Sequence, residues 1–219
     1  MPEESAAILA VAARVPPFAL ASETVDRAYG RPPGRGDRRF AAYDEDALTL
    51  AAAAGEQCLE GFDRSTLTAL YVASTTWPRA AAAQAERLAM ALDLPDTVEI
   101  ATFGGSWRCG AAALRLALAS PRLPALVIAA DRLSAPPGSD RETALGDGAG
   151  AVLVGHGSGP ARVTGWTSRI DITDWDSADA RFLVEQAARL ASMAPRGEAT
   201  RAAVSAPGRP FRWPMNELE

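Results

Sequence analysis

The sequence predicts an α/β fold with a mostly parallel sheet covered by helices on both faces. Three observations support this class. Short apolar runs alternate with helical segments along the first 155 residues, and the helical segments are rich in alanine and glycine, which permit close packing on a sheet. Apolar and polar residues do not alternate along these runs, as expected for strands that are buried on both faces. These runs cover residues 6–13, 67–74, 97–103, 124–130 and 149–155.

The elements before residue 100 follow from local signals. The first run ends at Pro16 and Pro17, and Ser22 is predicted to cap a short helix over 23–29. A loop rich in arginine, proline and glycine is predicted for 30–39. Three acids at 44–46 precede the next helix, 47–60, where the helix dipole favours negative charge. Another alanine-rich helix is predicted for 78–92.

A strand, a glycine turn and a helix follow one another between residues 97 and 120. Gly104 and Gly105 form the turn, Ser106 is predicted as the N-cap, and the helix covers 107–120. Such a junction presents one side chain at a helix N-terminus, where a thiolate is stabilised. The candidate side chains are those of Ser106 and Cys109.

Three segments divide the chain. Residues 1–158 are predicted as the α/β unit, with a loop at 131–143 before its last strand. Residues 159–195 are predicted as one strand, 161–172, and one amphipathic helix, 177–193. Residues 196–219 are predicted as a tail rich in proline and arginine, in which Phe211 and Trp213 would provide docking contacts.

Composition excludes several functions. The net charge is −5, which argues against a nucleic-acid partner, and no apolar run reaches the length of a membrane span. All 22 basic residues are arginine, so a Schiff-base lysine and a phosphate-loop lysine are excluded. Cys58 and Cys109 match no disulfide or metal pattern, which favours a cytoplasmic protein. No metal site is predicted, because the acids at 44–46 and Asp147 have no nearby His or Cys.

Five motifs in order resemble one known family. Together they are similar to the N-terminal half of hydroxymethylglutaryl-CoA synthase-like proteins, members of the thiolase superfamily that are close to ketoacyl synthase III. The resemblance covers about residues 6–155. It implies a fold of two similar halves in a five-layered sandwich, of which this chain has one half and a remnant of the second. The motifs are Asp44–Thr49, Tyr71–Thr76, Gly105–Gly110, Ala129–Leu133 and Gly146–Ala151.

The resemblance also implies that three catalytic roles are vacant. Trp107 stands where the family has its nucleophilic cysteine, and Thr75 stands where hydroxymethylglutaryl-CoA synthases have a general-acid glutamate. The family's catalytic histidine lies in the second half, whereas the one histidine here, His156, follows the last strand of the first half. Cys109 lies two residues beyond Trp107, a rotation of about 200° along a helix. Ser106 lacks a base to activate it.

Three functions remain open at this point. The first is a non-catalytic thiolase-fold subunit that pairs through strand 97–103 with itself, a full-length relative or a complementary second half, with an acyl-carrier or OB-fold protein as a further partner. The second is an acyltransferase with a relocated nucleophile, Cys109 or Ser106. The third is an acyl-CoA or acyl-carrier binding module. No tightly bound cofactor is expected, and a CoA or phosphopantetheine thioester is the substrate that the resemblance implies.

The arginines of the loop at 30–39 and Asp147 each have a predicted role. Arg35, Arg38 and Arg39 are the candidates for phosphate contacts, with a solvated loop as the simpler interpretation. Asp147 lies between two glycines and is predicted to accept backbone N–H bonds in a tight turn, a structural role.

Overall fold

A computed structural model describes residues 6–77, 83–164 and 166 of the chain. The chain divides into two units, Met1–Gly165 and Trp166–Glu219, and the described helices and strands belong to the first. The predicted elements at 161–172 and 177–193, apart from the first residues of the former, lie outside the described residues, as do the tail and residues 78–82 of the predicted third helix.

Eight strands and five α-helices are present in the described residues, with a 3₁₀ turn at Arg64–Thr66. The strands are β1 Ala7–Arg14, β2 Phe18–Ala21, β3 Asp37–Phe40, β4 Ala69–Ala73, β5 Glu99–Phe103, β6 Ala125–Asp131, β7 Gly148–Gly155 and β8 Ala161–Arg162. The helices are α1 Ser22–Ala28, α2 Ala47–Cys58, α3 Gln84–Ala91, α4 Cys109–Ala119 and α5 Asp140–Ala144.

Six strands form one sheet in the order β5-β4-β6-β7-β1-β8. Strand β4 pairs in parallel with β5 and β6, whereas β7 is antiparallel to both of its neighbours, β6 and β1. Strand β8 is antiparallel to β1. Four of the six strands therefore run in one direction, which confirms the predicted mostly parallel sheet.

Helices cover both faces of this sheet, as predicted. On one face, α2 and α3 pack with Leu70, Leu126 and Leu153 in the larger core. On the other face, α4 contributes three buried residues at a spacing of four, and these pack against Tyr71 and Val127. The three are Cys109, Ala113 and Ala117. Because their side chains are small, the helix axis lies close to the sheet.

The start of α2 shows why its predicted boundary is correct. Asp46 is the N-cap, and its carboxylate accepts the Thr49 N–H at 2.9 Å while the Thr49 hydroxyl accepts the Asp46 N–H at 2.7 Å. This reciprocal capping satisfies two backbone donors that the first turn leaves without partners. Within the helix, a Cβ at Gly55 would lie 2.8 Å from a Leu92 methyl group, so glycine is required for this packing distance.

A small two-stranded sheet, called the β2–β3 hairpin although α1 lies in its connection, replaces part of the predicted loop at 30–39. Strands β2 and β3 pair antiparallel, and the rings of Phe18 and Phe40 stack at 5.6 Å. The sequence does not indicate the short strand β3, because three of its four residues are charged and no apolar alternation marks it. Helix α1 between these strands begins at Ser22, which is therefore its first residue rather than its cap.

Two other predicted boundaries differ from the structure. Helix α4 begins at Cys109 instead of Trp107, because Gly105, at φ 73°, and the turn after it take the chain two residues further before helical bonding starts. The predicted loop after β6 contains the short helix α5. None of the described helices has the length and apolar character required to cross a bilayer.

Candidate functional site

The candidate site lies at one edge of the sheet, where the parallel strands β4, β5 and β6 end. Side chains that follow neighbouring parallel strands meet at such an edge, which is the usual location of ligand sites in open α/β sheets. Here the edge brings together Ser74–Thr76 after β4, the turn 104–108 after β5, and Asp131 at the end of β6. The start of α4 lies at the same edge, since β5 leads into it.

Asp131 is the centre of the polar contacts at this edge. Its Oδ1 atom accepts the backbone N–H groups of Thr75 and Thr76, at 2.6 and 3.0 Å. The hydroxyls of Ser74, Thr75 and Thr76 lie 3.1, 3.0 and 3.0 Å from the same oxygen. The Arg132 N–H in turn donates to the Thr76 hydroxyl at 2.9 Å. One carboxylate thus ties the end of β4 to the end of β6.

Thr75 is held in this network. Its N–H and its hydroxyl both point at Asp131, so the hydroxyl proton is engaged with a carboxylate. A threonine hydroxyl does not exchange its proton usefully near neutral pH. At the position that the resemblance assigns to a general acid, the described structure places a residue that stabilises a turn.

Trp107 and Ser106 lie in the turn that precedes α4. The Trp107 side chain is 64% exposed, and an indole has no nucleophilic group. The predicted N-cap role of Ser106 is wrong, since Arg108 is the N-cap and makes no side-chain capping bond. Ser106 instead organises the turn: its hydroxyl accepts the Arg108 N–H at 3.2 Å and its carbonyl accepts the Cys109 N–H at 3.0 Å.

Cys109 is the first residue of α4 and the thiol nearest to this edge. The structure confirms that it is buried, with 8% of its surface exposed. Burial raises the pKa of the Cys109 thiol, and the negative charge of Asp131 raises it further, against a smaller lowering by backbone N–H groups at the helix start. The helix N-terminus would favour a thiolate, but these two opposing effects are larger, so the sulfur remains a neutral thiol.

His156 lies at the opposite end of the strands from the candidate site. In the antiparallel pair of β6 and β7, Asp131 is opposite Gly148 and Ala125 is opposite Val154. Since His156 follows Gly155, it lies near the start of β6, about 20 Å from Asp131 along a strand of this length. This histidine cannot serve as a base for Cys109, Ser106 or Thr75.

Asp147 has a structural role, as predicted, but its partners come from distant segments. Its carboxylate oxygens accept the N–H groups of Ala41 and Leu133, each at 2.8 Å. Its own N–H donates to the Arg39 carbonyl at 2.9 Å. The residue is 8% exposed and joins the β2–β3 hairpin to the loop after β6.

The three candidate phosphate-binding arginines lie in different environments. The Arg38 guanidinium donates to the carbonyls of Leu133 and Glu142, at 2.7 and 3.4 Å. Arg39 is exposed and donates to the Pro17 carbonyl at 3.3 Å, and Arg35 is exposed on the loop before β3. The structure brings Arg38 and Arg39 to the same cleft, of about 510 Å³, and leaves Arg35 outside it.

Asp131 is the residue that sequence reasoning missed. The sequence showed an acid at the end of an apolar strand and a Ser-Thr-Thr segment at the end of another. What the sequence lacked was the strand order, which places β4 beside β6. Among the described residues, no group of three or more His, Cys, Asp or Glu side chains is arranged to hold a metal ion.

Comparison with known proteins identifies the fold but no close relative. No family model matches the chain, and no curated protein matches it. Solved structures do match. A 3-oxoacyl-(acyl-carrier-protein) synthase III is 21% identical with a TM-score of 0.61, over 72% of this chain and 52% of that chain.

Two further structures extend this likeness. OleA of Xanthomonas campestris, solved with lauric acid and lauroyl-CoA, is 17% identical with a TM-score of 0.65, over 86% of this chain and 71% of its own. The HMG synthase of the curacin biosynthetic pathway, solved with acetyl donor-ACP, is 19% identical with a TM-score of 0.63, over 69% of this chain and 41% of its own. The chain spans about half the length of the synthase III that it matches. Its fold is therefore thiolase-like, shared with ketoacyl synthase III, OleA and HMG-CoA synthase structures.

Proposed function

We propose that this chain is a non-catalytic, supporting thiolase-fold subunit of a complex that condenses or transfers acyl groups carried by CoA or an acyl-carrier protein. The observation that carries the proposal is the state of the carboxyl edge of the sheet. Cys109 is buried there as a neutral thiol beside Asp131, and Thr75 is bonded to the same carboxylate. The fold is one that condensing enzymes use, while these side chains provide no activated nucleophile and no acid.

The catalytic groups would come from a partner chain, and strand β5 is the proposed contact. It is the edge strand of the sheet in the described residues, next to β4 alone. The Glu99 N–H and the Phe103 carbonyl both bond to residues adjoining β4, at 3.0 and 3.1 Å. Because successive residues of a strand point their backbone groups to opposite sides, Ile100 and Thr102 direct theirs to the open edge, where a second strand would pair.

Substitution of Thr102 by proline tests this contact. Proline removes an N–H that points to the open edge and leaves the ladder to β4 intact, so pairing is expected to weaken at least tenfold with little loss of stability. Sedimentation velocity of the chain, alone and with its co-purified catalytic partner, measures the association. Ala101→Pro is the matched control, since it removes an N–H on the β4 side and should lower stability. Unchanged association of Thr102→Pro would contradict pairing through β5.

Intact-protein mass spectrometry tests the absence of catalysis. The chain is incubated with short acyl-CoAs, alone and together with the proteins that co-purify with it. The expected result is no acyl adduct on this chain and a stoichiometric adduct on the partner, because the neutral thiol of Cys109 is a weak nucleophile. A covalent adduct on the isolated chain would overturn the non-catalytic role.

One observation favours a second candidate, acyl transfer through Cys109. The thiol is at the first residue of α4 and at the carboxyl edge, the position where a helix N-terminus assists a nucleophile. In that case the adduct on the isolated chain would be lost in Cys109→Ala and retained in Ser106→Ala and Cys58→Ala.

A further inference from the structure

A second cleft lies between the β2–β3 hairpin and the loop that follows β6. Its volume is about 570 Å³, within the range of small-molecule sites. Leu20, Phe40 and Leu133 provide apolar lining, and the charged lining residues are Arg38, Arg132 and Asp147. The cleft lies beside the β2–β3 hairpin. Arg132 is the one residue that both lines the cleft and bonds to the Asp131 network among the described residues.

Arg38 is fixed in this cleft and forms no ion pair with a carboxylate of the described residues. Two of its nitrogens donate to the Leu133 and Glu142 carbonyls, which hold the guanidinium in place. Its Nε atom is buried and has no acceptor among the described residues. Other half-buried arginines of the described chain are paired with carboxylates: Arg14 with Glu45 at 2.7 Å, for example. A half-buried guanidinium whose charge is not compensated is costly, and an anionic ligand would remove that cost.

The charge balance of the cleft is positive. Asp147 is the one carboxylate in its lining, and both oxygens accept backbone N–H groups instead of facing an arginine. The Arg132 side chain is exposed, and no ion pair to a described residue involves it. Two arginines and one carboxylate therefore line a partly apolar cleft, and this local excess of positive charge favours binding of an anion at this position.

We propose that this cleft binds a small amphipathic anion, whose carboxylate or phosphate oxygens contact Arg38 and Arg132 and whose apolar end packs against Leu20, Phe40 and Leu133. Guanidinium groups bind carboxylate and phosphate head groups through the same charge-assisted hydrogen bonds, so the site can accept either head group. The apolar lining selects an anion that carries a short alkyl chain. This site does not depend on the proposed subunit role.

Isothermal titration calorimetry of the full chain at constant ionic strength tests the site. The probes are hexanoate and hexyl phosphate. Acetate and inorganic phosphate are the controls that have the same head groups without the hexyl or pentyl group. At least one alkyl probe is expected to bind, at least tenfold more tightly than its own head group, and the tighter of the two identifies the preferred head group. Arg132→Gln is expected to weaken that binding at least tenfold.

Arg35→Gln is the matched control, because Arg35 is exposed on the preceding loop and does not line the cleft. Arg132 is used in place of Arg38, whose loss would also release the Leu133 carbonyl and disturb the hairpin. Equal affinity in Arg132→Gln, Arg35→Gln and wild type would overturn the proposal. The absence of binding heat with both alkyl probes would overturn it as well, provided that circular dichroism shows the chain to be folded.

Discussion

Replacement of Asp147 by alanine is expected to lower the free energy of unfolding by about 3 kcal/mol. Two backbone N–H groups lose a charged acceptor, and each such loss costs about 1–3 kcal/mol when the group is buried. The two donors belong to Ala41 and Leu133, so both ends of the connection between the hairpin and the β6 loop are affected. The residue is 8% exposed, which leaves water little access to replace the carboxylate. Urea denaturation followed by circular dichroism measures the change.

Two variants separate this effect from a general loss of charge. Asp147→Asn keeps one acceptor oxygen but turns an NH₂ group toward the second N–H, so about half of the loss is expected. Asp37→Ala removes an exposed carboxylate from the same hairpin and should change the free energy of unfolding by less than about 0.5 kcal/mol. A loss in Asp147→Ala no larger than that in Asp37→Ala would show that the two N–H bonds do not hold the hairpin.

Replacement of Asp131 is expected to change both the stability and the reactivity of Cys109. In Asp131→Ala the N–H groups of Thr75 and Thr76 lose their acceptor, and a loss of about 2 kcal/mol is expected because the site is partly open to water. In Asp131→Asn an acceptor oxygen remains but the charge is removed. The pKa of Cys109 then falls toward its ordinary value, because the negative charge beside the thiol no longer opposes ionisation.

The expected sign of the reactivity change follows from the thiolate fraction. At pH 7.5, below the pKa, each unit of decrease in pKa raises that fraction tenfold, so Asp131→Asn should alkylate at Cys109 about two to ten times faster than wild type with iodoacetamide. Cys58 is an internal control, since burial alone raises its pKa and it is 3% exposed. Peptide mass spectrometry reads both sites in one sample. Equal alkylation rates of Cys109 in both proteins would show that Asp131 does not suppress this thiol.

This network bears directly on the proposed function. The carboxylate that orders the ends of β4 and β6 also adds to the larger effect of burial in raising the pKa of the thiol at the start of α4. A single residue therefore stabilises the edge of the sheet and opposes nucleophilic chemistry there. A supporting subunit requires the first property and tolerates the second, whereas an acyltransferase that used Cys109 would need the negative charge to be neutralised by its partner.

The sequence by itself determined the fold class, most element positions and the start of α2. These follow from signals within a few residues, such as the apolar runs of β4 and β6 and the acids at 44–46 before α2, and local interactions are sufficient to specify them. The five motifs also predicted the thiolase-like fold, which the solved structures confirm.

Only the tertiary structure decided what meets at the carboxyl edge. The direction of β7 places His156 far from Cys109, and the position of β4 beside β6 brings Ser74–Thr76 to Asp131. The two-residue shift of the helix start placed Cys109, not Trp107, at the N-terminus of α4. The first two depend on chain direction and strand order, which result from packing between segments that are not adjacent in sequence, and the hydrogen bonds to Asp131 join residues more than 50 positions apart. A local pattern of residues does not specify which strands become neighbours in the sheet.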